Sequence, residues 1–141
     1  MSRQEPQTGF TLIEMLIVVA IVGILAAIAV PNYSSFMIDG RRTDAITFLS
    51  EAAGEQIRYF SDNNQYADDM EELGYGDAAT FDTPEGYYRV GVTTPADMST
   101  FVLTATPVAG GKQAGDAECE AFTINDKGVR KNVGGTDTDC W

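Results

Sequence analysis

Three groups of side chains in this sequence have chemical prospects: a lone carboxylate, a pair of thiols and a crowd of acids. Glu14 is the one charge between Phe10 and Val30, and Met15–Val30 has none. A carboxylate in hydrocarbon costs several kcal/mol at the centre of a span and less near its end, so it asks for a partner. Arg3 is distant along the chain and Glu5 has the wrong sign. A cut between Gly9 and Phe10 would create an α-amino group at Phe10, four residues before Glu14 and on the same helical face. With an effective dielectric constant of about 20, opposite charges about 4 Å apart attract by roughly 4 kcal/mol before desolvation. The amine could be the chain's own or that of a neighbouring copy shifted along the axis.

Cys119 and Cys140 are the only cysteines. An even pair behind an export-type segment reads as one disulfide, closing a loop of about 22 residues and adding roughly 3 kcal/mol. Two buried free thiols are the alternative. There is no His and no C-x-x-C, so no metal site of that kind is expected. Asp62, Asp68, Asp69, Glu71, Glu72 and Asp77 offer the oxygen ligands that Ca²⁺ takes, but without the EF-hand spacing. They read as solvated surface. Hydrolase, phosphate-loop and zincin motifs are missing, and no nucleophile sits beside a base. The chain reads as a non-enzyme with no cofactor.

These groups must be positioned by a helix and a sheet. A helix over Phe10–Val30 is about 30 Å long, enough to cross a bilayer core. Gly23 and Pro31 make the stretch between them its softest part, since Gly weakens a helix and Pro removes a hydrogen bond. From Asn32 to Phe60 the pattern turns amphipathic, with Ala45, Leu49, Ala52, Ala53, Ile57 and Phe60 on one stripe and Ile46 beside it. Upstream, Tyr33, Phe36, Met37 and Ile38 suit either neighbouring helices or the membrane interface. Residues 61–86 read as an irregular connection with a short helical turn near Asp68–Leu73. Tyr87–Val92, Thr100–Ala105 and Ala121–Ile124 read as strands, and Val129–Lys131 starts a fourth after the turn Asn125–Gly128. The expected fold is α+β: a long N-terminal helix packed on a C-terminal antiparallel sheet of about four strands, with one disulfide. The expected divisions are 1–9, a polar leader; 10–31, the apolar helix; 32–60, its amphipathic continuation; and 61–141, a globular head.

The run Gly9-Phe10-Thr11-Leu12-Ile13-Glu14 ahead of an apolar helix resembles the amino terminus of type IV prepilins. Arg41–Ala45, Ala52–Phe60, Pro84–Tyr88, Leu103–Pro107 and Asp139-Cys140-Trp141 also resemble that family, nearest to its PilE-type minor pilins. The resemblance implies cleavage between Gly9 and Phe10 by a prepilin peptidase, and N-methylation of Phe10. It implies that Glu14 docks subunits during assembly and that the helix between Gly23 and Pro31 can unwind in the filament. The implied partners are other pilin subunits, major and minor, the inner-membrane assembly machinery, and membrane lipid before assembly. The implied function is structural, in a pilus serving adhesion or twitching motility.

Two other readings stay open. A pseudopilin of a type II secretion system would carry the same leader and helix, and its acidic loop could hold Ca²⁺. A secreted binding module would be released by cleavage after Ala29, since Ala27-Ile28-Ala29 fits a signal-peptidase site, though Glu14 speaks against it. The net charge is −12, with 21 acids against 9 bases. Such a chain repels phosphate backbones, so nucleic acid is not an expected partner. Arg41 and Arg42 after the span would place the large domain inside by charge counting. The disulfide needs an oxidising compartment and places it in the periplasm, with the assembled fibre outside the cell.

Overall fold

The computed structural model describes residues 9–136 and 139–141, and at Pro31, Asn32 and Ser34 only the backbone. Of the expected leader, residues 1–9, all but Gly9 lie outside the described residues. One helix, α1 (Leu12–Asn63), precedes five strands: β1 (Thr80–Asp82), β2 (Tyr88–Thr93), β3 (Val102–Pro107), β4 (Ala121–Asn125) and β5 (Arg130–Val133). The chain divides into two compact units, one ending at Met37 and the other running Ile38–Trp141.

The second unit is an antiparallel meander in the order β1-β2-β3-β4-β5 with the C-terminal part of α1 on one face. The helix-on-sheet architecture expected from the sequence is present, with one strand more than the expected four. The extra strand, β1, lies in the connection expected to be irregular. Three residues are too few to display an alternation. The strand forms because Thr83-Pro84-Glu85-Gly86 turns the chain back onto β2. Pro84 presets its own φ, Gly86 adopts φ 73°, and Gly86 N–H donates to Thr83 C=O at 2.7 Å.

Within residues 64–79, where a short helical turn is expected near Asp68–Leu73, the chain makes one closed turn over Met70–Tyr75. Tyr75 N–H donates to Met70 C=O and Gly74 N–H to Glu71 C=O, with Gly74 at φ 86°. That is the Schellman pattern, which ends a helical turn through a left-handed glycine.

The helix stripe differs from its expected composition. Ala45, Leu49, Ala52 and Ala53 are buried as expected, joined by Phe48 and Gln56. Ile57 is 60% exposed and Phe60 37% exposed. Position 56 rather than 57 continues the line through 45, 49 and 52, and Gln56 is fully buried there. Its side chain donates to Ala67 C=O (2.9 Å) and accepts from Ala67 N–H (3.0 Å). An amide replaces an apolar residue because the connecting loop needs both backbone groups satisfied. Phe48 stacks 5.5 Å from Phe81 and lies 4.9 Å from Tyr75, so the helix holds both the loop and β1.

Candidate functional site

The helix begins with its own cap. Thr11 precedes α1, its Oγ1 accepting Glu14 N–H at 3.2 Å. Glu14 Oε2 reaches back toward Thr11 N–H at 3.5 Å. Ser/Thr followed three residues later by Glu is a capping box, which satisfies two of the donors a helix start leaves unpaired. A carboxylate in the first turn also suits the positive end of the helix dipole. Glu14 therefore has a local role beside any role with a partner.

From Phe10 to Val30 the large apolar side chains are uncovered, from 48% exposed at Met15 to 78% at Phe10 and Leu12. The 18-residue window here has a mean hydropathy of 2.9 and is long and apolar enough to cross a membrane. Burying each Leu, Ile or Val is worth about 1.5–3 kcal/mol, so this surface calls for lipid or other apolar helices. The backbone is helical through both Gly23 and Pro31.

In the second unit a polar clamp joins α1 to the connection between β3 and β4. Arg42 meets Asp116 through two parallel hydrogen bonds of 2.7 Å, Nε to Oδ2 and the terminal nitrogen to Oδ1. Asp39 and Glu118 flank the guanidinium. Gln113 Nε2 donates to Asp116 and to Ile38 C=O. Burial pushes the Asp116 carboxyl up, but Arg42 and the Cys119 N–H outweigh it and hold it below the usual carboxylate range. Three residues on, Cys119 is bonded to Cys140, their Cα atoms 6.0 Å apart. Both sulfurs are buried and Trp141 rests edge-on against Phe122, so the chain's end is fastened to β4.

Of the acids, Asp68, Asp69 and Glu72 bring carboxylate oxygens within 4.8 Å of one another. Asp69 Oδ1 accepts Glu72 N–H at 2.9 Å, and Glu72 Oε2 accepts Asp68 N–H at 3.1 Å. These bonds cap the turn that Gly74 closes, which accounts for the grouping without a cation.

Comparison with known proteins places these features together. A family model described as the prokaryotic N-terminal methylation motif matches residues 6–30. A second, described as type IV minor pilin ComP, DNA uptake sequence receptor, matches residues 31–123. The chain belongs to the type IV pilin family. This pilin is 36% identical over 112 residues to fimbrial protein EcpC of Eikenella corrodens, covering 79% of this chain and 70% of the relative. It is 45% identical over 75 residues to the type IV major pilin protein PilA of Myxococcus xanthus, spanning 52% of this chain and about a third of that relative (34%). A high-resolution structure of a type IV pilin from Shewanella oneidensis superposes with a TM-score of 0.51 at 29% identity, covering 74% of this chain and 97% of that one. These relatives are structural subunits, not enzymes.

The pilin's structure brings Cys119 and Cys140 together, and Glu14 with Thr11. The local signal for Thr11 is the T-x-x-E spacing of a capping box. Arg42 had no such signal. Its partner lies 74 residues away in a loop of small and polar residues.

Proposed function

We propose that this pilin is a minor subunit of a type IV pilus. Its precursor is cut between Gly9 and Phe10 and methylated on the new amine of Phe10. The apolar helix first holds it in the inner membrane as a single span with the head in the periplasm. The subunit then leaves the bilayer, and the apolar helices gather at the filament's centre. Glu14 pairs there with the Phe10 amine of an adjacent subunit, and the Gly23–Pro31 stretch unwinds on packing. The observation that carries this reading is the exposed apolar stretch Phe10–Val30, with its single carboxylate four residues after Phe10. Lipid can cover the apolar side chains but offers the carboxylate no counter-charge, and the Phe10 amine would supply one.

The matched family's description as a DNA uptake sequence receptor is not carried to this chain. With 21 acids against 9 bases, the chain as a whole repels phosphate backbones, which disfavours that role. The acidic loop adds little to the pseudopilin reading, because Asp69 and Glu72 each already accept a backbone N–H of the turn.

Mass spectrometry of the mature chain tests processing: the expected amino terminus is methylated Phe10, and a chain starting at Val30 would sink the proposal. Glu14→Gln tests assembly, since it keeps the cap's hydrogen-bonding shape and removes the charge. It is expected to be cut normally and to enter sheared filaments about tenfold less than wild type, the loss of about 1.4 kcal/mol of pairing. Counting the subunit against the filament's main pilin tests the minor assignment.

A further inference from the structure

The Asp116 carboxylate is shared between two parts of the head. Its Oδ2 accepts Arg42 Nε at 2.7 Å and Gln113 Nε2 at 2.9 Å. Its Oδ1 accepts the Arg42 terminal nitrogen at 2.7 Å, and also the backbone N–H groups of Cys119 (3.1 Å) and Glu118 (3.3 Å). A carboxylate has about four lone-pair sites, so this one is fully used. Some of its bonds reach α1, and others fix the backbone that carries Cys119.

On the side of α1, the same connection makes further bonds. Gln113 Nε2 also donates to Ile38 C=O at 3.2 Å, and Arg41 donates to Lys112 C=O at 3.3 Å. Lys112, Gln113 and Asp116 thus hold α1 between Ile38 and Arg42. Their connection, residues 108–120, contains three glycines, so its own backbone does little to fix its place. On the side of the disulfide, the tail after β5 lies close against this stretch. A side chain at Gly135 would collide with Glu118 C=O, and the position takes φ 80°. The tail that brings Cys140 to Cys119 therefore needs the backbone at 118–119 in one place. Holding one thiol in position raises the effective concentration of the other.

We propose that Asp116 is a positioning residue that couples the disulfide to the helix: its grip on Arg42 orients Cys119 for Cys140, and closing the disulfide tightens the grip on α1. Such coupling is reciprocal by linkage, with a usual size of about 5- to 150-fold. In closing, the two thiols react with one external disulfide, which leaves as two thiols. Two electrons and two protons pass to it, and the Cys119–Cys140 bond forms. A newly inserted chain with free thiols holds its helix loosely, and an oxidising compartment completes the joint. That timing rests on the periplasmic placement proposed above, and the coupling does not.

The test uses the full-length chain in detergent micelles, equilibrated with glutathione and glutathione disulfide and trapped by alkylation. Asp116→Asn keeps an oxygen for the Cys119 N–H and sets an NH2 group against Arg42. It is expected to lower the equilibrium constant for disulfide formation about tenfold, a shift of about 30 mV. Gln56→Leu loosens the head elsewhere and should leave that constant within about twofold of wild type. A second measurement needs no variant. With the disulfide reduced, the Arg42 Nε–H of wild type should exchange with water about tenfold faster, followed by nitrogen–proton NMR. The Arg89 Nε–H, bonded to Asp82 at 2.7 Å, should change by less than about twofold. Side-chain protons of this kind exchange through local opening rather than global unfolding. Equal constants in Asp116→Asn and wild type overturn the coupling, as does an equal shift in Gln56→Leu. Unchanged exchange at Arg42, or an equal rise at Arg89, overturns it too. Wild type trapped in intact cells with both thiols free overturns the periplasmic placement, a result distinct from all of these.

Discussion

Arg42 and Asp116 face each other in a two-bonded pair, both contacts 2.7 Å, with the Asp116 side chain 1% exposed. Through this pair the first turns of the head's helix hold the long β3–β4 connection, and Arg41 adds a bond to Lys112 C=O. The grip sits three residues from the disulfide at Cys119, so the connection is fastened twice within a short stretch.

Asp116→Ala is expected to destabilise the head by about 3 kcal/mol. Removing one member of a buried pair leaves the other uncompensated, and Asp39 and Glu118 relieve only part of that. Urea unfolding of wild type and variant measures it. Because the folded Asp116 carboxyl lies below its ordinary value, its contribution is present above the ordinary carboxylate range and is lost as pH falls through the folded value. Wild type should therefore lose stability on acidification more steeply than Asp116→Asn, and equal slopes would contradict the assignment.

Replacing Cys119 and Cys140 together with Ser should cost about 3 kcal/mol, for a closed loop with a sequence separation of 21. In so small a head the melting temperature should fall by about 15 °C. Calorimetry checks this, and reduction of wild type should reproduce the shift.

Gln56→Leu keeps the volume and removes both bonds to Ala67. Two buried backbone groups lose their partners, which costs about 2 kcal/mol. Amide exchange at Ala67 should quicken well before the sheet's own amides change. Slowed or unchanged exchange there would contradict the role given to Gln56.

Burial pushes the Tyr75 hydroxyl up to about 12, reinforced by Glu51 and Glu55, and burial does the same at Tyr88, again to about 12. Both folded values lie above that of a free tyrosine, so the neutral side chains favour the fold until pH passes about 10, and stability falls from there to about 12. Ultraviolet titration should find Tyr75 and Tyr88 among the late tyrosines, ionising as the head unfolds, with Tyr59 also raised. Replacing Tyr88 with Phe should remove one of them.

Much of the fold was legible because its signals are local. The apolar run, the β-branched and aromatic content of β2 to β4 and the turn Asn125–Gly128 all declare themselves within a few residues. A three-or-four-residue spacing admits both the line through Ile57 and the line through Gln56. Only the width of the sheet beneath decides which line is covered, and Ile57 is left 60% exposed. β1 was passed over because its pairing comes from the Pro84–Gly86 turn and its strand is three residues long.

By itself the sequence determined the apolar helix with Glu14 in its first turn, the excess of acids and the antiparallel character of the sheet. Each of these depends on composition or on neighbours within one or two turns of chain. Tertiary structure alone decided that Arg42 takes Asp116, 74 residues distant, and that Gln56 belongs to the core. Those outcomes follow from which surfaces meet after folding. A buried charge or amide keeps its place only where the other segment supplies its partner.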